Sequence, residues 1–149
     1  MFYSYIKLIE FLVKEDGLMD NRPIGIFDSG VGGLTVMREV MEQLPYENII
    51  YLGDTARIPY GSKSEQTIRK YANQCSSFLK SKDVKTIVIA CNTASSIALN
   101  HVQKNFDLPV IGVIDPGART AASVTETGRI GVIGTIATIN SNAYQTKIM

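Results

Sequence analysis

Tryptophan is absent from this chain, histidine occurs once, at position 101, and cysteine twice, at 75 and 91. Aromatic residues make up 8%, too few to suggest a surface on which nucleic-acid bases stack. The two cysteines match neither zinc nor CxxC spacing, so a metal centre of Cys and His is not expected. Charge of one sign is missing too. Lys and Arg total 15 against 14 Asp and Glu, and a net charge of +1 offers no pull toward nucleic acid or an anionic membrane. No apolar run approaches the length of a membrane span. Residues 1–13 are apolar-rich, but Lys7 and Glu10 interrupt them and no small-residue cleavage site follows. They are not expected to be a secretory signal, and the cytoplasm is the expected compartment.

What is present suits one folded unit of ordinary size. The chain has 149 residues, 45% of them hydrophobic, enough for a real core. Five apolar runs recur, at 24–27, 49–52, 86–90, 110–114 and 130–133. Helical periodicity fills the gaps between them. Leu34, Met37, Val40, Met41 and Leu44 share one face. Ile68, Tyr71, Ala72, Cys75, Phe78 and Leu79 share another, and Ile97, Ala98, Val102 and Phe106 form a looser stripe. Strands alternating with helices through short links predict parallel strands with right-handed crossovers. Runs apolar throughout, rather than alternating, suit a sheet covered on both faces. The expected fold is α/β, an open and mostly parallel sheet with helices on both faces. Residues 1–23 stand apart as an amino-terminal extension, with an amphipathic helix expected over 1–13.

Chemistry is expected at the strand ends. Asp28, Asp54, Cys91, Asp115 and Thr135 follow the five runs in order, and in an open α/β sheet such ends share one edge, where ligands bind. Cys91 is the most informative of them. The β-branched run Ile87-Val88-Ile89 stops at Ala90-Cys91, small polar residues follow, and a helix is expected from Ile97 onward. A thiol at the carboxyl end of a buried strand and the amino end of a helix meets free N–H groups and the positive end of the dipole. It can serve there as nucleophile or carbon-acid base, although a small buried cysteine under a turn would look the same. Asp115, followed by Pro116-Gly117, reads as a helix cap rather than a catalyst.

Asp28-Ser29-Gly30-Val31-Gly32-Gly33-Leu34 is a glycine-rich turn of the kind that can cradle phosphate. A dinucleotide fingerprint would need glycine at 35, where Thr35 stands, and Asp28 places a carboxylate where pyrophosphate would sit. Asp54 mimics a ribose-binding acid, so the nucleotide reading stays a minor alternative. Residues 112–119 have the glycine spacing of a P-loop but lack its Lys and Ser/Thr. Pro59-Tyr60-Gly61-Ser62 is either a plain turn, with Ser62 or Ser64 capping the next helix, or a rim loop meeting a small polar ligand. Cys75 falls in a helical apolar stripe and is expected in the core. His101 lies at least two turns along the helix from Cys91 and is not expected to pair with it.

Three ordered stretches together resemble the glutamate racemases of the cofactor-independent aspartate/glutamate racemase superfamily. They are Gly25 through Thr35, Gly53-Asp54-Thr55-Ala56-Arg57-Ile58-Pro59-Tyr60-Gly61, and Ala90-Cys91-Asn92-Thr93-Ala94-Ser95. The resemblance runs from Pro23 to the end of the chain. It implies interconversion of L- and D-glutamate for peptidoglycan synthesis, without metal or organic cofactor, by two cysteines on opposite faces of the α-carbon. By that resemblance Cys91 and Asp28 are catalytic, and Asp28, Ser29, Tyr60, Gly61, Asn92 and Thr93 contact substrate. The partner implied is glutamate, with a homodimer as a candidate assembly. The resemblance also implies two domains, 24–115 carrying one catalytic cysteine and 116–149 opening a second that these residues leave incomplete. The second catalytic cysteine that the resemblance implies, followed by Thr-His, is not among them, so these residues by themselves are expected not to racemise glutamate, at most to exchange its α-proton. Alternatives are an aspartate or hydantoin racemase on the same scaffold, or a non-catalytic truncated product.

Overall fold

The apolar runs become strands where a neighbour can pair with them. A computed structural model describes residues 20–149, so the helix expected over 1–13 lies outside the described residues. β1 (Ile24–Asp28) and β3 (Thr86–Ile89) are buried along their whole length. β2 (Ile49–Gly53) and β4 (Val110–Gly112) flank them in an all-parallel sheet of order β2-β1-β3-β4. The central strands are the two longest runs buried at every residue, Ile-Gly-Ile-Phe-Asp in β1 and Thr-Ile-Val-Ile in β3, as a sheet covered on both faces requires.

Side-chain alternation then assigns each face its helices. Ile24, Ile26 and Val88 point toward α1 (Leu34–Gln43) and pack with its Val36 and Val40. Phe27, Ile87 and Ile89 point the other way, against α2 (Glu65–Lys80) and α3 (Asn92–Asn105), whose Ile68, Ala72, Leu79, Ala98 and Val102 complete that core. The Ser64 hydroxyl caps α2 by accepting the Thr67 N–H at 3.3 Å, and Glu65 and Lys80 sit at the ends where the helix dipole favours them. Cys75 is buried in α2, as expected.

Four expectations are corrected. On α1 the buried pair is Val36 and Val40, with Met37 and Leu44 packed beside it, while Leu34 and Met41 face solvent. One helix lying on one sheet face buries a narrower stripe than the apolar periodicity suggests. The fourth strand ends at Gly112, because α4 (Ile114–Val124) starts almost at once. Asp115 thus lies inside the first turn of α4 rather than at its cap, and pairs with Arg119 at 2.7 Å and Lys147 at 3.1 Å. Residues 130–133 form no strand, and Ile133 is 99% exposed. No described strand pairs with that run, and strand conformation brings no gain when its N–H and C=O groups still depend on water.

α5 (Ile136–Asn140) and α6 (Ala143–Ile148) follow this extended stretch, and α6 packs on α4. No helix among the described residues is long and apolar enough to cross a membrane. The strand order sets the place of the site. From β1 the chain goes outward to β2, then crosses to β3 on the other side of β1. The crevice of such a sheet opens at that reversal, outside the carboxyl ends of β1 and β3.

Candidate active site

Register brings the two chemical groups to the same edge. Phe27 pairs with Ile89, and the Ala90 N–H donates to the Phe27 carbonyl at 2.8 Å. β1 and β3 end within a residue of each other, so that Asp28, the last residue of β1, and Cys91, two residues past β3, both reach this edge. Ser95 secures the second loop from below. Its hydroxyl donates to the Ile89 carbonyl at 2.7 Å and accepts the Val113 N–H at 3.2 Å, tying the first turn of α3 to the ends of β3 and β4.

The glycine-rich turn folds around its own carboxylate. Asp28 Oδ2 accepts the N–H of Gly30 at 3.0 Å and of Gly33 at 3.1 Å. Two of the N–H donors that a dinucleotide phosphate would use are therefore turned to the chain's own carboxylate, which weakens the nucleotide alternative. Gly33 is needed for its lack of a side chain. A Cβ there would lie 2.7 Å from Asp28 Cβ and 2.8 Å from Ala90 Cβ, atoms carried directly on the backbone. Gly33→Ala should lower stability by about 1–3 kcal/mol, the usual range for overpacking. Gly131, with nothing near its ideal Cβ, should accept alanine without loss. Urea unfolding midpoints with unchanged m-values would check both.

Within this frame the Cys91 sulfur meets polar groups. Its thiol donates to Ser29 Oγ at 3.4 Å, and the Ala94 N–H donates to the sulfur at 3.4 Å. Cys91 is the N-cap of α3, so a hydroxyl and a first-turn N–H are both placed to solvate an anion there. Cys91 is 5% and Asp28 6% exposed, yet both line a cleft of about 640 Å³ with Ser29, Asn92 and Thr93. That volume suits a small molecule. Among the described residues, no three His, Cys, Asp or Glu side chains converge as a metal site would require.

The opposite wall comes from residues 130–148. Thr135, identified from sequence only as a strand end, instead caps α5 by accepting the Thr138 N–H at 3.2 Å. Its hydroxyl lies 3.0 Å from that of Thr93, and Thr138 closes the triangle at 3.3 Å from Thr93 and 3.0 Å from Thr135. Tyr144 donates its hydroxyl to Asn92 Oδ1 at 2.6 Å. Thr138 and Tyr144 were missed in the sequence. The Thr135-x-x-Thr138 spacing signals a helix start, whereas nothing local marks Tyr144.

Tyr60 and Gly61 do not line this cleft. Tyr60 is buried, and its hydroxyl bonds Asp54 and lies 3.9 Å from Cys75 Sγ. Burial pushes its phenol far up, helped by the bond to Asp54. Gly61 abuts the far wall from behind, because a Cβ there would fall 2.5 Å from Thr135 Cβ. His101 is exposed and bonds Asn73 and Asn105, away from the thiol.

Tyr51, on β2, reaches under the glycine-rich turn and donates to the Gly30 carbonyl at 3.2 Å. Burial, then the charges of Asp28 and Cys91, push its phenol from about 10 up to about 12. The folded chain keeps this proton longer than the unfolded chain, so stability is full below about pH 10 and falls as pH rises through about 12. Tyr51→Phe should lose less of its unfolding midpoint between pH 9 and 11.5 than the parent, with buried Tyr60 accounting for part of the remaining loss.

An open parallel α/β sheet thus carries a thiol, a carboxylate and a cluster of hydroxyls together at its switch point. The chain belongs to the Asp/Glu/Hydantoin racemase family, which its residues 24–149 match. It is 57% identical over 127 residues to a glutamate racemase of Geobacter metallireducens, covering 85% of this chain and 47% of that one. It is 58% identical over 130 residues to one from Streptococcus sanguinis, covering 87% and 49%. Among solved structures it is similar to glutamate racemase from Aquifex pyrophilus, with a TM-score of 0.83 and 52% identity over 85% of this chain and 50% of that one. It is similar also to the Francisella tularensis glutamate racemase solved in complex with D-glutamate, with a TM-score of 0.79 and 53% identity over 86% and 48%. The chain spans about half the length of the curated relatives it matches.

Proposed function

We propose that this chain supplies one half-site of a cofactor-independent glutamate racemase, with Cys91 as the acid–base group on one face of the substrate α-carbon. The observation that carries the reading is the Cys91 sulfur, held between Ser29 and the first turn of α3 on the wall of a small-molecule cleft. As thiolate it takes the α-proton of glutamate. The bond electrons remain on carbon, and the negative charge spreads into the α-carboxylate. Asn92, Thr93 and the hydroxyls of Thr135 and Thr138 supply donors for that charge as it grows. Asp28 organises the loop that brings Ser29 to the sulfur.

Inversion needs a second acid–base group on the opposite face. The other thiol of these 149 residues, Cys75, lies behind Tyr60 and does not line the cleft, so the share proposed for these residues is proton transfer on one face. Glutamate as substrate is supported by the curated relatives and by the D-glutamate complex of the Francisella protein. Supply of D-glutamate for peptidoglycan, a cytoplasmic location, a homodimer and the division into 24–115 and 116–149 belong to the same proposal. A related aspartate or hydantoin racemase is the alternative within the family.

Proton NMR in deuterium oxide separates these readings. The chain is incubated with L- or D-glutamate, L- or D-aspartate, or a 5-substituted hydantoin. The proposal expects the α-proton signal of one glutamate enantiomer to fade fastest, without inversion. Faster loss from aspartate or hydantoin would move the assignment to those substrates.

A further inference from the structure

Asn92 is the first residue of α3, directly after Cys91, and its exposed side chain lines the cleft. A carboxamide is nearly symmetric in shape but not in chemistry. One end accepts hydrogen bonds, the other donates two. A cleft that receives a carboxylate needs the donor end inward, and an unrestrained amide spends part of its time reversed. Here the acceptor end is already engaged, by the Tyr144 hydroxyl at 2.6 Å. The NH2 end has no protein hydrogen bond among the described residues.

Tyr144 is itself held. Its ring lies along Gly117 of α4, where a Cβ would come within 3.4 Å of the ring edge. Lys147, on the same short helix, pairs with Asp115 of α4 at 3.1 Å. Burial pushes the phenol pKa up, so the hydroxyl keeps the proton that it donates.

We propose that Tyr144 is a positioning residue, whose hydroxyl fixes the Asn92 amide with its NH2 group free to donate to a carboxylate of an amino-acid ligand in the cleft. This rests on the reading of the cleft as a glutamate site. It assigns a task to a residue far from Cys91 in sequence, whose hydroxyl bonds Asn92 rather than the thiol or Asp28.

The test uses the intact chain and Tyr144→Phe, which removes one oxygen and keeps the ring. Alkylation of Cys91 by iodoacetamide is followed by mass spectrometry at rising glutamate, giving the concentration for half-protection. Loss of one neutral hydrogen bond predicts a rise of roughly threefold to tenfold in that concentration. In an Asn92→Ala background the same substitution should change nothing further, because the amide through which it acts is gone. An unchanged half-protection in Tyr144→Phe, or an equal rise in both backgrounds, overturns the inference. A second readout needs no ligand. The side-chain amide resonances of Asn92, assigned by their loss in Asn92→Ala, should shift in Tyr144→Phe, and identical resonances overturn the inference. If glutamate fails to protect the parent chain, the substrate reading falls, and the amide resonances still decide the part about Tyr144.

Discussion

Replacing Cys91 with serine should abolish α-proton exchange from glutamate in deuterium oxide, a loss on the order of 10³-fold or more, as removal of a proton-transfer group predicts. Serine keeps the N-cap, since its hydroxyl accepts the Ala94 N–H that now meets the sulfur. The fold should therefore survive, and only the acid–base group is lost. Cys75→Ser provides the contrast. Burial and the nearby Asp54 charge raise the Cys75 pKa, and its sulfur faces Tyr60 and Arg57 rather than the cleft. Exchange should continue in that variant. Exchange that survives in Cys91→Ser and disappears in Cys75→Ser would reverse the assignment of the two thiols.

The second large effect concerns the support behind the cleft. Asp54 is nearly buried, and its carboxylate accepts from Arg57 Nε at 2.8 Å and from the Tyr60 hydroxyl. The Arg57 guanidinium also bonds Gln74 and lies 4.3 Å over the Tyr71 ring. Its bond to Asp54 holds the Arg57 pKa above the ordinary value. Arg57→Met keeps most of the side-chain volume but leaves a carboxylate facing a phenol and a thiol with no cation. Removing one partner of a fully buried pair costs about 3–5 kcal/mol. The Arg57 side chain is 31% exposed, and water reaching the site brings the expectation down to about 2–3 kcal/mol. Thermal unfolding should fall by roughly 5–10 °C for a chain of this size. Asp54→Asn combined with Arg57→Met should cost less than the sum of the two, because the stranded charge is gone. The effect should reach the cleft, since the Tyr60–Gly61 turn backs directly on Thr135.

The doubly covered sheet was legible because Ile24–Phe27 and Thr86–Ile89 do not alternate with charged residues, the pattern of strands buried on both faces. The strand order was not, since no local feature of β2 tells whether it joins β1 or β3. Periodicity found the right helices, but the stripe on α1 was too broad, because an apolar residue such as Leu34 or Met41 costs little at the surface. The run at 130–133 looks like a strand, but a strand exists only through its neighbour, and none of the described strands is beside it. At the site, Asp28, Ser29, Cys91, Asn92 and Thr93 come together because strand ends and glycine turns leave local marks. Tyr60 was marked by its Pro-Tyr-Gly turn, which says nothing about where the hydroxyl points. That direction is set by Asp54 and Arg57. Thr138 and Tyr144 reach the cleft only through tertiary packing of short helices.

The most direct measurement is a crystal structure of this chain with glutamate bound. The account predicts glutamate in the cleft between β1 and β3, its α-carbon facing Cys91 Sγ at about 3–3.5 Å, the separation of a reactive pair, and a carboxylate on Asn92 and the threonine hydroxyls. Glutamate bound elsewhere, or bound in this cleft with the sulfur turned away from its α-carbon, would contradict it.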